Sequence, residues 1–207
     1  MFKDHPIFLE SIKFIRSKLG PHKFNDLEVE VLERLIHASG DFGIKDLLLF
    51  SKNACEIGLQ ACKSGAPILT DTEMAAVAVR RMTQDTHGNL VISIKKWIDL
   101  KRQYECTASA FGMEKAWLDL SQNYFESKSP IVLIGSAPTA LEKLLDIVDK
   151  TNNKPSLIIG MPVGFIGVKN AKDRLVKSNL NYISLGSTRG GAAMAAASIN
   201  ALLRASV

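Results

Sequence analysis

From residue 130 onward the chain alternates short apolar runs with helical patterns, and that alternation constrains its fold more than any other feature. Pro130–Ile134, Ser156–Ile159 and Tyr182–Leu185 read as buried strands. Ala137–Lys150, Lys169–Lys177 and Gly191–Arg204 read as the helices between and after them. Strands that are apolar on both faces and separated by helices pair in parallel, because each helix returns the chain to the same edge and covers a face. The expectation is a three-layer α/β/α sandwich with a mainly parallel sheet.

The first two thirds fit the same plan with weaker signals. Met1–Leu19 reads as an amphipathic helix ended by Gly20–Pro21. Asn25-Asp26-Leu27-Glu28 has the form of a capping box opening a helix that runs to about His37, with Gly40 as terminator. Leu47–Phe50 is an apolar run, followed by a helix from near Ser51 to near Gly65. Pro67–Leu69 is a short buried strand, with Asp71 placed to cap the next helix. Asn89–Ile94 is a further strand and Ser109–Phe125 a further helix. No linker, repeat or low-complexity tract divides the 207 residues, so one domain over 1–207 is expected.

Composition excludes several classes. A 46% apolar content supports a core without disulfides or a structural metal. Cys55, Cys62 and Cys106 are odd in number and form no CxxC pair, which suits a reducing, cytoplasmic setting with buried or inert thiols. The histidines stand apart from each other and from the cysteines, so no metal site is expected. No stretch reaches the length of a membrane span. The net charge of +5 mildly favours an acidic partner, but the basic residues are scattered, unlike a nucleic-acid stripe.

Ligands of open α/β sheets sit at the carboxyl ends of the strands. The loops expected there, Gly135–Ala140, Gly160–Phe165 and Gly186–Gly191, are rich in small residues. They read equally as tight turns or as places of close ligand approach. None has the P-loop or GxGxxG pattern, so a nucleotide site is not expected. His37 offers more. Leu27, Val31, Leu32, Leu35 and Ile36 form the apolar face of its helix, while His37 falls on the other side with Glu30, Glu33 and Arg34. Arg34 and His37 are three apart and should be neighbours. On helix geometry alone, a solvated surface histidine is the simpler reading.

Six stretches change that balance: HPIFLESIKFIR (5–16), ERLIHASGDF (33–42), GAPILTDTEMA (65–75), IGSAPTALEKLL (134–145), IIGMPVGFIG (158–167) and STRGGAAMAAASINALL (187–203). Together and in this order they resemble the precorrin-8X methylmutase family, over nearly the whole chain. The resemblance implies a flavodoxin-like domain and a homodimer with active sites at the subunit interface. It implies an isomerase acting on a carboxylate-rich corrin precursor, precorrin-8X or cobalt-precorrin-8. One methyl group would move from an alpha carbon of ring C to the adjacent beta carbon, with no separate cofactor.

Residue by residue, His37 matches the family's catalytic histidine, which would protonate or hydrogen-bond the ring C nitrogen. Ser11, Arg34, Arg81 and Thr107 match positions associated with substrate binding. Hydroxyl and guanidinium groups are apt partners for acetate and propionate side chains. The chain departs from the family at Ala108, where an arginine is usual and a carboxylate contact is lost. It also departs at Ser136, which replaces asparagine, and at Ser51-Lys52, which replaces a Ser-Pro pair. Arg189 stands for a frequent lysine. Two other classes fit less of the sequence. One is a non-catalytic tetrapyrrole-binding protein derived from the family, favoured by Ala108. The other is an unrelated α/β enzyme using the glycine-rich loops.

Overall fold

The computed structural model describes residues 5–99, 105–123 and 128–207. The chain starts with α1 (Pro6–Leu19), capped by the His5 ring, which accepts a hydrogen bond from Ile7 N–H. Residues 1–4 of the expected first helix lie outside the described residues. The expected capping box at Asn25 opens α2 (Asp26–Ser39). Asn25 accepts from Glu28 N–H, and the Glu28 carboxylate accepts from Asn25 N–H, both at 3.0 Å. Gly40 ends the helix in the left-handed region, at φ 67°. A 3-10 turn over Phe42–Asp46 leads into β1 (Leu48–Phe50).

Next come α3 (Ala54–Lys63), β2 (Ile68–Thr70), α4 (Glu73–Gln84) and β3 (Val91–Ser93). They are followed by α5 (Ala108–Asn123), β4 (Ile131–Ile134), α6 (Pro138–Lys150), β5 (Leu157–Gly160), α7 (Val168–Lys177), β6 (Tyr182–Leu185) and α8 (Ala192–Ala205). Two expected boundaries move by several residues. The third helix starts at Ala54 rather than near Ser51, because Ser51 is used by the sheet edge: its hydroxyl accepts from Tyr182 N–H. The strand expected over Asn89–Ile94 is confined to Val91–Ser93, since a 3-10 turn takes over at Ile94. Residues 124 and 125 of the expected fifth helix lie outside the described residues.

The strands form one sheet in the order β1-β6-β5-β4-β2-β3. All neighbouring pairs are parallel except β1 with β6. The chain enters β1 at the carboxyl end of β6 and runs against it. Asp41, just past α2, is ion-paired there with Arg189, and Gly186 N–H donates to Leu47 C=O at 2.7 Å.

Strands β4, β5 and β6 feed both faces, as the pleat requires. Ile131, Leu133, Leu157, Ile159, Ile183 and Leu185 pack with α1, α2, α3 and α8. Val132, Ile134, Ile158 and Tyr182 pack with α5, α6 and α7. Among the described residues, no helix is long and apolar enough to cross a membrane.

Candidate active site

His37 lies in the last turn of α2, and α1 is packed across it. Its Nδ1 is 2.9 Å from Ser11 Oγ, a hydrogen bond whose donor depends on the tautomer. The Phe8 ring meets the imidazole edge-on, with centroids 5.2 Å apart. Two turns of α1 thus set the ring from both sides, although the side chain remains exposed to solvent. A hydroxyl on Nδ1 fixes the ring plane and leaves Nε2 to face a ligand.

Two cations frame the same aromatic. The guanidinium carbons of Arg34 and Arg204 each lie 4.9 Å from the Phe8 centroid. Among the described residues Arg34 Nε is buried without a hydrogen-bond partner, and burial pushes its pKa down. A half-buried guanidinium with an unused donor has a standing preference for an anion. A cleft of about 180 Å³ opens beside it, lined by Phe8 and Ile12, by Arg16, Arg34 and Arg204, and by the carboxylates of Glu30 and Glu33.

One part of the sequence reading of α2 needs correction. Glu33 is not on a solvated face: it is 2% exposed and takes Arg16 of α1 in a two-pronged ion pair at 2.5 and 3.0 Å. The polar side of α2 is covered by α1. That is why His37 sits in a built environment rather than on an open surface. The signal was Arg16 itself, a cation on the helix that covers Glu33.

Thr107 stands elsewhere, at the carboxyl edge of the sheet. Its hydroxyl accepts from Ala110 N–H to start α5, and lies 2.7 Å from the Thr139 hydroxyl in the first turn of α6. Here β2 turns outward to β3 on one side and β4 leads away on the other, which is the crevice where such sheets hold ligands. Part of that crevice is filled from within. Asp71, 1% exposed, accepts from Ser136 N–H and Ala137 N–H at 2.6 and 2.9 Å.

The cap of α4 is therefore Thr72, whose hydroxyl accepts from Ala75 N–H, and not Asp71 as expected. Asp71 instead braces the turn that leads into α6, accepting from the two N–H groups just before its first helical residue. A long-range contact of this kind leaves no local sequence pattern.

Arg81 lies apart from both groups. Its side chain is 94% exposed on α4, 3.6 Å from Asp85. Cys55 and Cys62 are buried, and burial pushes both thiols up, Cys62 to about 12. Cys106 is exposed just before α5.

The glycine-rich loops also receive a structural explanation at two points. A Cβ on Gly135 would stand 2.6 Å from Ala192 backbone atoms, and one on Gly190 only 2.0 Å from the Met161 carbonyl oxygen. These glycines admit neighbouring backbone.

The sequence pattern of the family described as precorrin-8X methylmutase matches residues 6–205. The cobalt-precorrin-8 methylmutase of Priestia megaterium is 31% identical over 193 residues, spanning 93% of this chain and 84% of that protein. The precorrin-8X methylmutase of Pseudomonas aeruginosa is 35% identical over 179 residues, spanning 86% and 83%. The crystal structure of a precorrin-8X methylmutase from Thermus thermophilus superimposes with a TM-score of 0.87 at 33% identity, covering 97% of this chain and 95% of that one. With the family pattern spanning nearly its whole length and such relatives aligned over most of theirs, the chain belongs to the precorrin-8X methylmutase family.

Proposed function

We propose that the protein is a methylmutase of cobalamin biosynthesis that isomerises precorrin-8X or cobalt-precorrin-8, with His37 as its acid. The carrying observation is the Ser11–His37 hydrogen bond at 2.9 Å, made between two of the family-matched stretches. In this reading Ser11 and Phe8 hold the imidazole so that Nε2 meets the ring C nitrogen. A proton or hydrogen bond there withdraws electron density from the ring. The methyl group then leaves the alpha carbon and bonds to the adjacent beta carbon, and no atom is gained or lost overall. A side chain fixed before the substrate arrives contributes most, because its ordering has been met by folding.

Arg34, with its unused Nε donor, takes a peripheral carboxylate of the substrate. Thr107 and Arg81 serve other parts of the periphery. The matched residues fall on α1 and α2, on the outer face of α4 and at the carboxyl end of β4. Such dispersal suits a macrocycle larger than any one of these places. It also suits a homodimer in which two copies complete each site. The parallel strands, in the order β3-β2-β4-β5-β6, support a flavodoxin-like domain over residues 1–207. The protein works in the cytoplasm without a separate cofactor. Incubation with precorrin-8X and with cobalt-precorrin-8, followed by visible spectroscopy, tests the reading. Conversion of either substrate alters ring conjugation and therefore colour; unchanged spectra for both at stoichiometric enzyme would overturn it.

A further inference from the structure

Lys172 on α7 is only 3% exposed, yet the described partners of its ammonium are two carbonyl oxygens rather than a carboxylate. Nζ donates to Ser187 C=O at 3.0 Å and to Arg189 C=O at 2.5 Å. Both belong to the loop between β6 and α8. Burial lowers the amine to about 8. Burying a cationic group is costly unless it is well hydrogen-bonded, and here the two loop carbonyls supply those bonds.

What it holds is a loop that would not keep its shape unaided. Ser187 has φ 64°, a left-handed conformation unusual for a residue with a side chain, and Gly190 has φ 157°. The loop is tied on its other side by Gly191 N–H donating to Met161 C=O at 2.9 Å and Gly164 N–H donating to Thr188 C=O at 3.2 Å. Its product is the direction of Arg189, whose guanidinium pairs with the Asp41 carboxylate. The other oxygen of Asp41 accepts from Gly43 N–H at 2.8 Å and starts the 3-10 turn. Asp41 lies four residues beyond His37 and directly after the Gly40 cap of α2.

We propose that Lys172 is a positioning residue for His37, acting through the β6–α8 loop and the Arg189–Asp41 pair to fix the carboxyl end of α2. The proposal rests on the catalytic reading of His37, and the test separates the two. The imidazole signals of His37 are followed by ¹H–¹⁵N NMR in the full-length protein without ligand, in Lys172→Met, in Arg189→Ala, in the double variant and in Arg189→Lys. Steady-state kinetics accompany each.

Lys172→Met and Arg189→Ala should move the His37 signals alike, and the double variant should add little to either. Arg189→Lys should restore them. The kcat should fall by about 10- to 100-fold while KM changes less, as small misplacement of a reacting group does. Wild-type His37 signals and kcat in a folded Lys172→Met would overturn the proposal. If Lys172→Met does not fold, wild-type signals in the exposed Arg189→Ala variant would overturn it equally. Normal turnover in His37→Ala removes the catalytic reading, whereas the NMR signals still decide whether Lys172 sets the position of that ring.

Discussion

At the scale of single residues, the account rests on what touches the imidazole. Ser11→Ala removes the hydroxyl on Nδ1 and little else, because Ser11 lies at a partly open helix surface. Turnover should fall by about 2- to 10-fold, the equivalent of ~0.5–1.5 kcal/mol for one neutral hydrogen bond. No change in kcat would separate Ser11 from the chemistry. The two arginines should not behave alike. Arg34→Ala should weaken binding of the corrin product by about 1.5–3 kcal/mol, the range for charge-assisted hydrogen bonds. Arg81→Ala should have a smaller effect, since its side chain is 94% exposed and screened by solvent. Equal losses in titrations of both variants would contradict that ranking. Helical spacing set Arg34 and His37 one turn apart, and each meets the Phe8 ring; resemblance singled out Ser11, which bonds His37. Phe8 and Arg204 were not, because their meeting depends on how α1 and α8 pack on α2, and no periodicity within one helix reports that.

At the scale of elements, the sharpest prediction concerns Asp71. Burial raises its pKa above the ordinary 3.8, while the N–H groups of Ser136 and Ala137 pull the other way. A carboxyl with a raised folded pKa holds its proton more firmly in the folded state. Its contribution to stability is complete below 3.8 and is lost as pH rises through the raised value. Asp71→Asn keeps an acceptor oxygen but does not titrate. In urea denaturation the wild type should therefore lose stability relative to Asp71→Asn between acid and neutral pH. Parallel pH profiles would remove this assignment. Asp71→Ala, which leaves the Ser136 and Ala137 N–H groups without their acceptor, should cost about 1–3 kcal/mol. Sequence showed the strands of the last third because each is a continuous apolar run between helical patterns. It placed β3 too broadly, because only three residues pair with β2 before the 3-10 turn begins. The antiparallel course of β1 was invisible, since Leu47–Phe50 carries no mark of direction and its pairing with β6 joins segments more than 130 residues apart.

At the scale of the whole molecule, the dispersed positions of His37, Arg81 and Thr107 lead to a prediction about assembly. Sedimentation equilibrium should give a dimer at micromolar concentration, with activity tracking the dimer fraction on dilution. A fully active monomer would contradict a shared site. Whether this family member moves its methyl group with His37 as the acid is decided by a single comparison. Turnover of the corrin precursor is measured for the wild type and for His37→Ala, with fold and product binding checked in the same samples. The exposed side chain makes no core contact, so the variant should fold, keep most of its product affinity and lose about 10²–10⁴-fold in turnover. A folded His37→Ala protein turning over at a near-normal rate would contradict the account and leave binding alone to drive the rearrangement.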